Sequence, residues 1–337
     1  MLKQRKVAIA VVAFVVANSC LLLAGFFAPY PPAEQHRDFA YAPPTRIHFF
    51  DQAGRFHLVP FVYAVVPVDG YGFQYAEDRR SKYPIRLFNR QSDGWHVFAV
   101  SAPAKVFVLG TDGFGRDIFS RILFGGRISI AAALLATLLS LCFGAGLGAI
   151  AGHFGGAAEV LIMRGSELAL ALPWIYLLLA IRAVLPLHIG ATQTFLLISA
   201  VIGAMGWARP ARLVRGVVLS ARERPFVMAA RGFGASEWYL LRRHVLPQAL
   251  GIVITQAVIL VPQFVTAEAT LSFLGLGMTE PTPSWGNMLA ALQHFQVMSS
   301  YWWMASPVIA LVLVSTVYFA LADALDGRRI AAGEVYV

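Results

Sequence analysis

Residues Ile130–Ala151 read IAAALLATLLSLCFGAGLGAIA, without a charged side chain from end to end. About 20 helical residues cross the roughly 30 Å of hydrocarbon in a bilayer, so this stretch is long enough to span one. It has companions. Val7–Ala28, Leu168–Leu185, Thr192–Trp207, Ile252–Ala269 and Ala305–Leu321 are also apolar and mostly free of charge. The whole chain fits that reading, because 58% of its 337 residues are hydrophobic and only 13% charged, where soluble domains carry about a quarter charged. An all-α integral membrane protein with six transmembrane helices is expected.

The first span follows Lys3, Arg5 and Lys6, a basic start that signal peptides share. Its apolar run is too long for a signal peptide. Ala17-Asn18-Ser19-Cys20 is similar to a lipoprotein cleavage box, but Leu21-Leu22-Leu23 continues apolar where a mature lipoprotein turns polar, so a retained first helix is expected. Arginine and lysine near span ends favour the cytoplasmic side. They place the start inside, and an even number of spans returns the other end there. The stretch 209–247 then also falls inside, with arginines from Arg209 to Arg243 against only Glu223 and Glu237. The net charge of +9 is therefore read as topology rather than nucleic-acid binding, since no basic stretch is interleaved with aromatics. Cys20 and Cys142 lie inside apolar runs, with no partner pattern for a disulfide or a metal, and are read as packing residues.

Four regions follow: a short cytoplasmic tail and first helix over 1–28, an extracytoplasmic insert with an interfacial helix over 29–126, a transmembrane domain over 127–326, and a cytoplasmic tail over 327–337. Within the insert, Arg46–Phe50 and Arg55–Val59 flank Gln52-Ala53-Gly54 as a hairpin would, and Ile85–Phe88 faces Trp95–Ala99 across Asn89–Gly94. The insert is expected to be small and β-rich.

Catalysis has no candidate residues. No lysine follows Lys105, and none of the four lysines sits in the glycine-rich loop that cradles ATP phosphates. Neither a His-Glu-x-x-His metal motif nor a Gly-x-Ser-x-Gly nucleophile turn occurs. No cofactor, metal or nucleic-acid partner is expected. Charges inside the spans are few. Arg164 and Glu167 are spaced for a local helical pair, while Arg182, Glu268 and Asp323 lie near span ends.

The stretch Pro225–Pro247, PFVMAARGFGASEWYLLRRHVLP, predicts two short helices and a bend. Pro225 suits a first helical position, and Gly234 suits the left-handed residue that closes a helix. Ser236 can cap the second helix, Arg242, Arg243 and His244 fall in its last turn, and Pro247 stops it before the next span. Ala229 and Ala230 are small enough to let another protein approach the backbone closely.

This knuckle resembles the cytoplasmic coupling loop of ABC importer permeases, patterned Glu-Ala-Ala, then Gly, then Leu-Pro: Ala229, Ala230, Gly234, Leu246 and Pro247 match, with Met228 at the usual glutamate and Gln248 at the usual asparagine. Leu109–Arg121, LGTDGFGRDIFSR, is similar to the signature before the second span of peptide permeases, through Gly110, Thr111, Asp112, Gly115, Arg116 and Asp117. Its glycines lead into an amphipathic interfacial helix, with Asp112, Arg116, Asp117 and Arg121 free for local pairing. Glu268–Gly277 with Pro281–Leu289 is similar to the outer loop of the same subfamily, and Asp323–Asp326 to its closing motif. The resemblance covers roughly 109–329 and is to the C-type permease of dipeptide and oligopeptide importers.

The resemblance implies a type I importer fold in the bacterial inner membrane and a non-catalytic subunit forming half of the pathway. Its implied partners are a second permease, two ATP-binding subunits, an extracytoplasmic substrate-binding protein and membrane lipid. ATPase coupling is implied for Met228, Ala229, Ala230, Gly234, Leu246 and Pro247. A nickel or glycoside importer of the same family is the nearest alternative. A secondary transporter would need coupling carboxylates near mid-span and inverted repeats, and neither is visible.

Overall fold

A computed structural model describes residues 2–68, 73–91, 94–184 and 190–331. The chain divides into two units. One comprises Met1–Val15, Ile130–Leu271 and Val314–Val337, the other Val16–Ser129 and Ser272–Leu313.

In the first unit, the apolar stretch around Ile130–Ala151 is part of α2, which runs unbroken from Ile118 to Phe154. The interfacial helix expected before the second span is therefore not a separate element, because nothing in Ile118–Gly126 interrupts hydrogen bonding. Gly144, Gly148 and Gly152 recur every fourth residue along one face of α2. A Cβ would lie 2.6 Å from the Trp207 carbonyl at Gly144, would collide with the Ala211 carbonyl at Gly148, and would lie 2.8 Å from the Arg215 carbonyl at Gly152. Small residues at this spacing let helix backbones touch. They seat α2 against the helix that buries Ala208, Pro210, Ala211, Val214 and Val218.

Apart from the single turn Ala24–Phe27, the remaining α-helices are α1 (Leu2–Leu22), α3 (Gly156–Ala171), α4 (Trp174–Val184), α5 (Ala191–Met205), α6 (Ala208–Arg222), α7 (Pro225–Gly232), α8 (Glu237–Leu240), α9 (Leu246–Phe273), α10 (Trp285–Ala290), α11 (Phe295–Ser300) and α12 (Ser306–Ala331). Among the described residues four helical stretches are long and apolar enough to cross a membrane: Arg5–Leu22, Ile118–Phe154, Glu237–Phe273 and Trp302–Leu325. The pair α5 and α6, bent by 45°, makes a fifth if counted as one. Six transmembrane helices were expected, and two of those stretches differ: Thr192–Trp207 needs α6 beside the 15 residues of α5, and 168–185 is broken. Pro173 disfavours helical geometry at the residue before it, Leu172 adopts an extended ψ of 134°, and the 11 residues of α4 are too short to cross alone. Leu185, the expected end of that span, lies outside the described residues. Arg164 donates to Glu167 at 2.8 Å, the local pair that the spacing predicts.

Two further expectations change. The stretch 209–222, for which no helix was expected, is helical, because α6 continues past Trp207 with one face buried. Pro247 does not stop a helix either. A π-turn over Leu241–Val245, in which the Leu246 amide donates to the Leu241 carbonyl, joins α8 to α9. Such a turn absorbs the missing amide and ring bulk of a following proline. Cys142 is exposed on α2 and Cys20 half-buried, so Cys142 is not a packed residue within this chain.

In the second unit, β1 (His48–Phe50), β2 (Phe56–Pro67) and β3 (Tyr75–Pro84) form an antiparallel sheet in that order, and β4 (Arg86–Gln91) pairs antiparallel with β5 (Gly94–Ala99). The first turn is made by Asp51, whose Oδ1 accepts the amides of Ala53 and Arg55 at 2.9 Å each, and by Gly54 at φ +76°. Residues 92–93 of the second expected turn lie outside the described residues, as do 332–337 of the expected tail. Sequence reading had no strand at β3, whose polar, charged residues give little alternation. Val62, Ile85, Ala104 and Val106 form the small core beneath these strands.

Candidate functional site

Two of the sequence motifs are built into distinct arrangements, one in each unit. In the first unit, Pro225 occupies the first turn of α7 after an extended Arg224, and Val227 is the buried root of the helix. Val227 joins Val214, Val218, Leu240, Leu241 and Val245 in one apolar core. At the far end of α7 the Gly234 amide donates to the Arg231 carbonyl at 2.9 Å and the Ala235 amide to the Ala230 carbonyl at 3.1 Å. This paired bonding closes a helix through a left-handed residue, and Gly234 has φ +85°. Ser236 then caps α8, accepting the Tyr239 amide. Arg231 grips Glu237 with two bonds of 2.9 and 3.0 Å, fixing the angle between the helices.

What the root leaves outside is apolar. Phe233 is 93% exposed and Met228 54%, and Phe226, Trp238 and Tyr239 are exposed beside them. Ala229 is exposed, whereas Ala230 packs toward the core. Arg224, Arg231, Arg242 and Arg243 are interspersed among these side chains, which does not suit a lipid-facing surface. Leu246 and Pro247 stand apart from this face, in the helix that follows the π-turn.

In the second unit, the peptide from Leu109 is folded by its polar atoms. Gly110 and Gly115 take φ of +74° and +72°. The Asp112 carboxylate accepts the amides of Phe114 and Arg116 at 2.8 and 3.0 Å. Thr111 accepts the Ala42 amide at 2.8 Å and donates to the Phe39 carbonyl. Asp117 caps α2, its Oδ2 accepting the Ser120 amide and hydroxyl at 2.7 and 2.6 Å. Burial pushes Asp117 up to about 7.

The arginines of this motif converge on a residue that sequence reading missed. Arg116 donates from Nε to Asp112 at 2.7 Å and from both terminal nitrogens to Glu280 at 2.6 and 3.1 Å. Arg121, its side chain only 2% exposed, donates to the same carboxylate at 2.7 Å. Asp112 and Arg116 thus pair locally as expected, while Asp117 caps a helix instead of pairing with Arg121. A signal for Glu280 existed: two buried arginines need more than one nearby acid, and Glu280 is the only acidic residue between Glu268 and Asp323. The two family-like motifs, 109–121 and 281–289, meet here. Trp285 donates to the Ile122 carbonyl at 2.9 Å, and Asn287 to the Thr282 carbonyl at 2.8 Å.

The chain matches known proteins over most of its length. The family described as Binding-protein-dependent transport system inner membrane component matches residues 144–331. A putative peptide permease protein of Brucella suis is 37% identical over 251 residues, covering 73% of this chain and 81% of that protein. The dipeptide transport system permease protein DppC of Alkalihalophilus pseudofirmus is 36% identical, covering 68% and 74%. The oligopeptide transport system permease protein OppC of Haemophilus influenzae is 32% identical, covering 72% and 77%. A solved structure of the inward-facing MetNI methionine ABC transporter overlaps 64% of this chain and 96% of its own at a TM-score of 0.46 and 18% identity, a likeness too loose to carry an argument. By the family match and by relatives above 30% identity across two thirds or more of its length, the chain belongs to the binding-protein-dependent inner-membrane transport components, as an ABC transporter permease of the peptide-importer family.

Proposed function

We propose that this chain is the permease subunit of an ATP-driven importer of di- or oligopeptides, forming half of the pathway and taking its motion from an ATPase docked on α7. A second permease, two ATP-binding subunits and an extracytoplasmic binding protein complete the machine. Its six crossings count Gly156–Val184 as one, broken at Pro173, and α5 with α6 as another. Both termini and the knuckle then face the cytoplasm, and the two small sheets face outward. The cargo follows the names of the relatives.

The observation that carries the coupling role is the exposed apolar face around Met228 and Phe233 on a helix rooted by Val227. A helix presenting such a face fits a groove on a partner. Movement of the ATPases would be passed through α7 and the bonded Arg231–Glu237 hinge into α9 and so into the pathway.

The test is reconstitution. The assembled complex should take up labelled tripeptide only with ATP, and the purified chain alone should hydrolyse none. Vanadate-sensitive hydrolysis by the partner-free chain would contradict the proposal. Orientation is tested in a variant lacking Cys20 and Cys142, where Arg80→Cys should react with an impermeant maleimide in spheroplasts and Ser236→Cys should not.

A further inference from the structure

The bent pair α5 and α6 carries its four arginines, Arg209, Arg212, Arg215 and Arg222, all on α6. Arg209 is the first of them, just past the bend. Ala208, Pro210 and Ala211 on either side of it are buried, with the Trp207 and Ala211 backbone against the glycine face of α2. Arg209, itself exposed, lines a cavity of about 460 Å³ to which no described residue of α2 contributes. Two helix breaks border that cavity, Leu172 ahead of Pro173 and Gly206 at the bend, and Pro262 lines it from within the continuous α9. Its walls are apolar, with Leu170, Met205, Phe264 and Phe319, and Gln263 adds a neutral amide. Among the described lining residues Arg209 is the only charged one, and it has no ion pair or hydrogen-bonding side-chain partner among the described residues.

A guanidinium stays protonated under any biological condition. Among apolar walls it is costly unless an anion or water joins it. The cavity falls in the range of about 300–1,000 Å³ typical of small-ligand sites, which join apolar walls to a few placed polar groups. The geometry points to a carboxylate subsite: Arg209 takes the C-terminal carboxylate of a peptide in passage through two parallel hydrogen bonds, and Gln263 meets a neighbouring peptide amide. The carboxylate is the anion that every unmodified peptide carries whatever its side chains, so one arginine among unspecific apolar walls serves cargo of varied sequence. This inference rests on the peptide-importer reading and adds a named subsite to it.

The experiment compares trialanine with trialanine amide in the complete importer carrying wild-type, Arg209→Lys or Arg209→Gln permease, at matched membrane levels and with co-purification of the partner subunits checked for each. Trialanine uptake should fall about ten- to a hundredfold in Arg209→Gln, the loss of a charge-assisted hydrogen bond, and recover only in part in Arg209→Lys, which keeps the charge but not the paired bonds. Amide uptake should change less than twofold. To bypass selection by the binding protein, a tripeptide with a photoreactive first residue is cross-linked to the purified complex without that protein. The free acid should label this chain in wild type and lose most labelling in Arg209→Gln, while the amide labels both equally weakly. Equal losses for acid and amide, loss of partner co-purification in Arg209→Gln, or no loss at all would overturn the subsite. Absence of wild-type trialanine uptake and labelling would instead overturn the peptide reading on which it rests.

Discussion

Gly115 and Gly234 adopt nearly the same backbone conformation, at φ +72° and +85°, in opposite surroundings. A Cβ on Gly115 would collide with the His36 backbone, whereas one on Gly234 would meet nothing within 4 Å. The same contrast runs through the two regions they belong to. Around Gly115 the charges of Asp112, Arg116, Arg121 and Glu280 are paired with one another. Around Gly234 the backbone is equally well bonded, yet the side chains are apolar and turned outward. A closed polar network is what a structural fastening looks like, and a rigid element with an unspent apolar face is what a docking element looks like.

The largest effect expected from this contrast is at Gly115. Gly115→Ala adds left-handed strain to a clash with backbone that has no room to move, so more than about 3 kcal/mol should be lost. The purified variant should show little folded protein by size exclusion in detergent. Arg121→Met should come next. Removing one partner of a buried ionic cluster costs about 3–5 kcal/mol when the other is stranded, but Arg116 still holds Glu280, so a loss nearer 2–3 kcal/mol is expected in the apparent unfolding midpoint. Gly234→Ala should cost only about 1 kcal/mol, because strain acts there without a clash. Equal losses in Gly115→Ala and Gly234→Ala would erase the distinction between the regions.

A further effect concerns pH. Asp117 is raised to about 7 by burial, so its ionised form is disfavoured in the folded chain. The wild type should therefore lose stability as pH rises from the ordinary aspartate range to about 7, and then level off. Asp117→Asn, which keeps an oxygen for Ser120, should remove that decline. Its advantage over wild type should grow between pH 5 and pH 7 and stay constant above, measured as the difference in unfolding midpoint.

Features closed by short-range bonds were legible in the sequence. Pro225, Gly234 and Ser236 start, close and restart helices through bonds reaching five residues or fewer, and the Asp51–Gly54 turn is equally local. Long-range features were not legible. Glu280 lies 164 residues from Arg116, and only folding brings them together. The passage of a helix through Pro247 depends on a π-turn that no residue preference announces. Arg209, which counts in the sequence as one more cytoplasmic arginine, proves to sit in a helix because the glycines of α2 offer α6 a surface to pack on.

The coupling account is tested most directly by Gly234→Leu, measured as co-purification of tagged ATPase subunits from membranes with matched amounts of permease, alongside uptake of labelled tripeptide. The bulky side chain enters open space within this chain but stands on the face where a partner must approach. The variant should insert normally and lose both ATPase binding and uptake, while Met228→Glu, in the same assay, keeps both. If Gly234→Leu binds ATPase and transports at wild-type levels, α7 and its closing turn are not the coupling element.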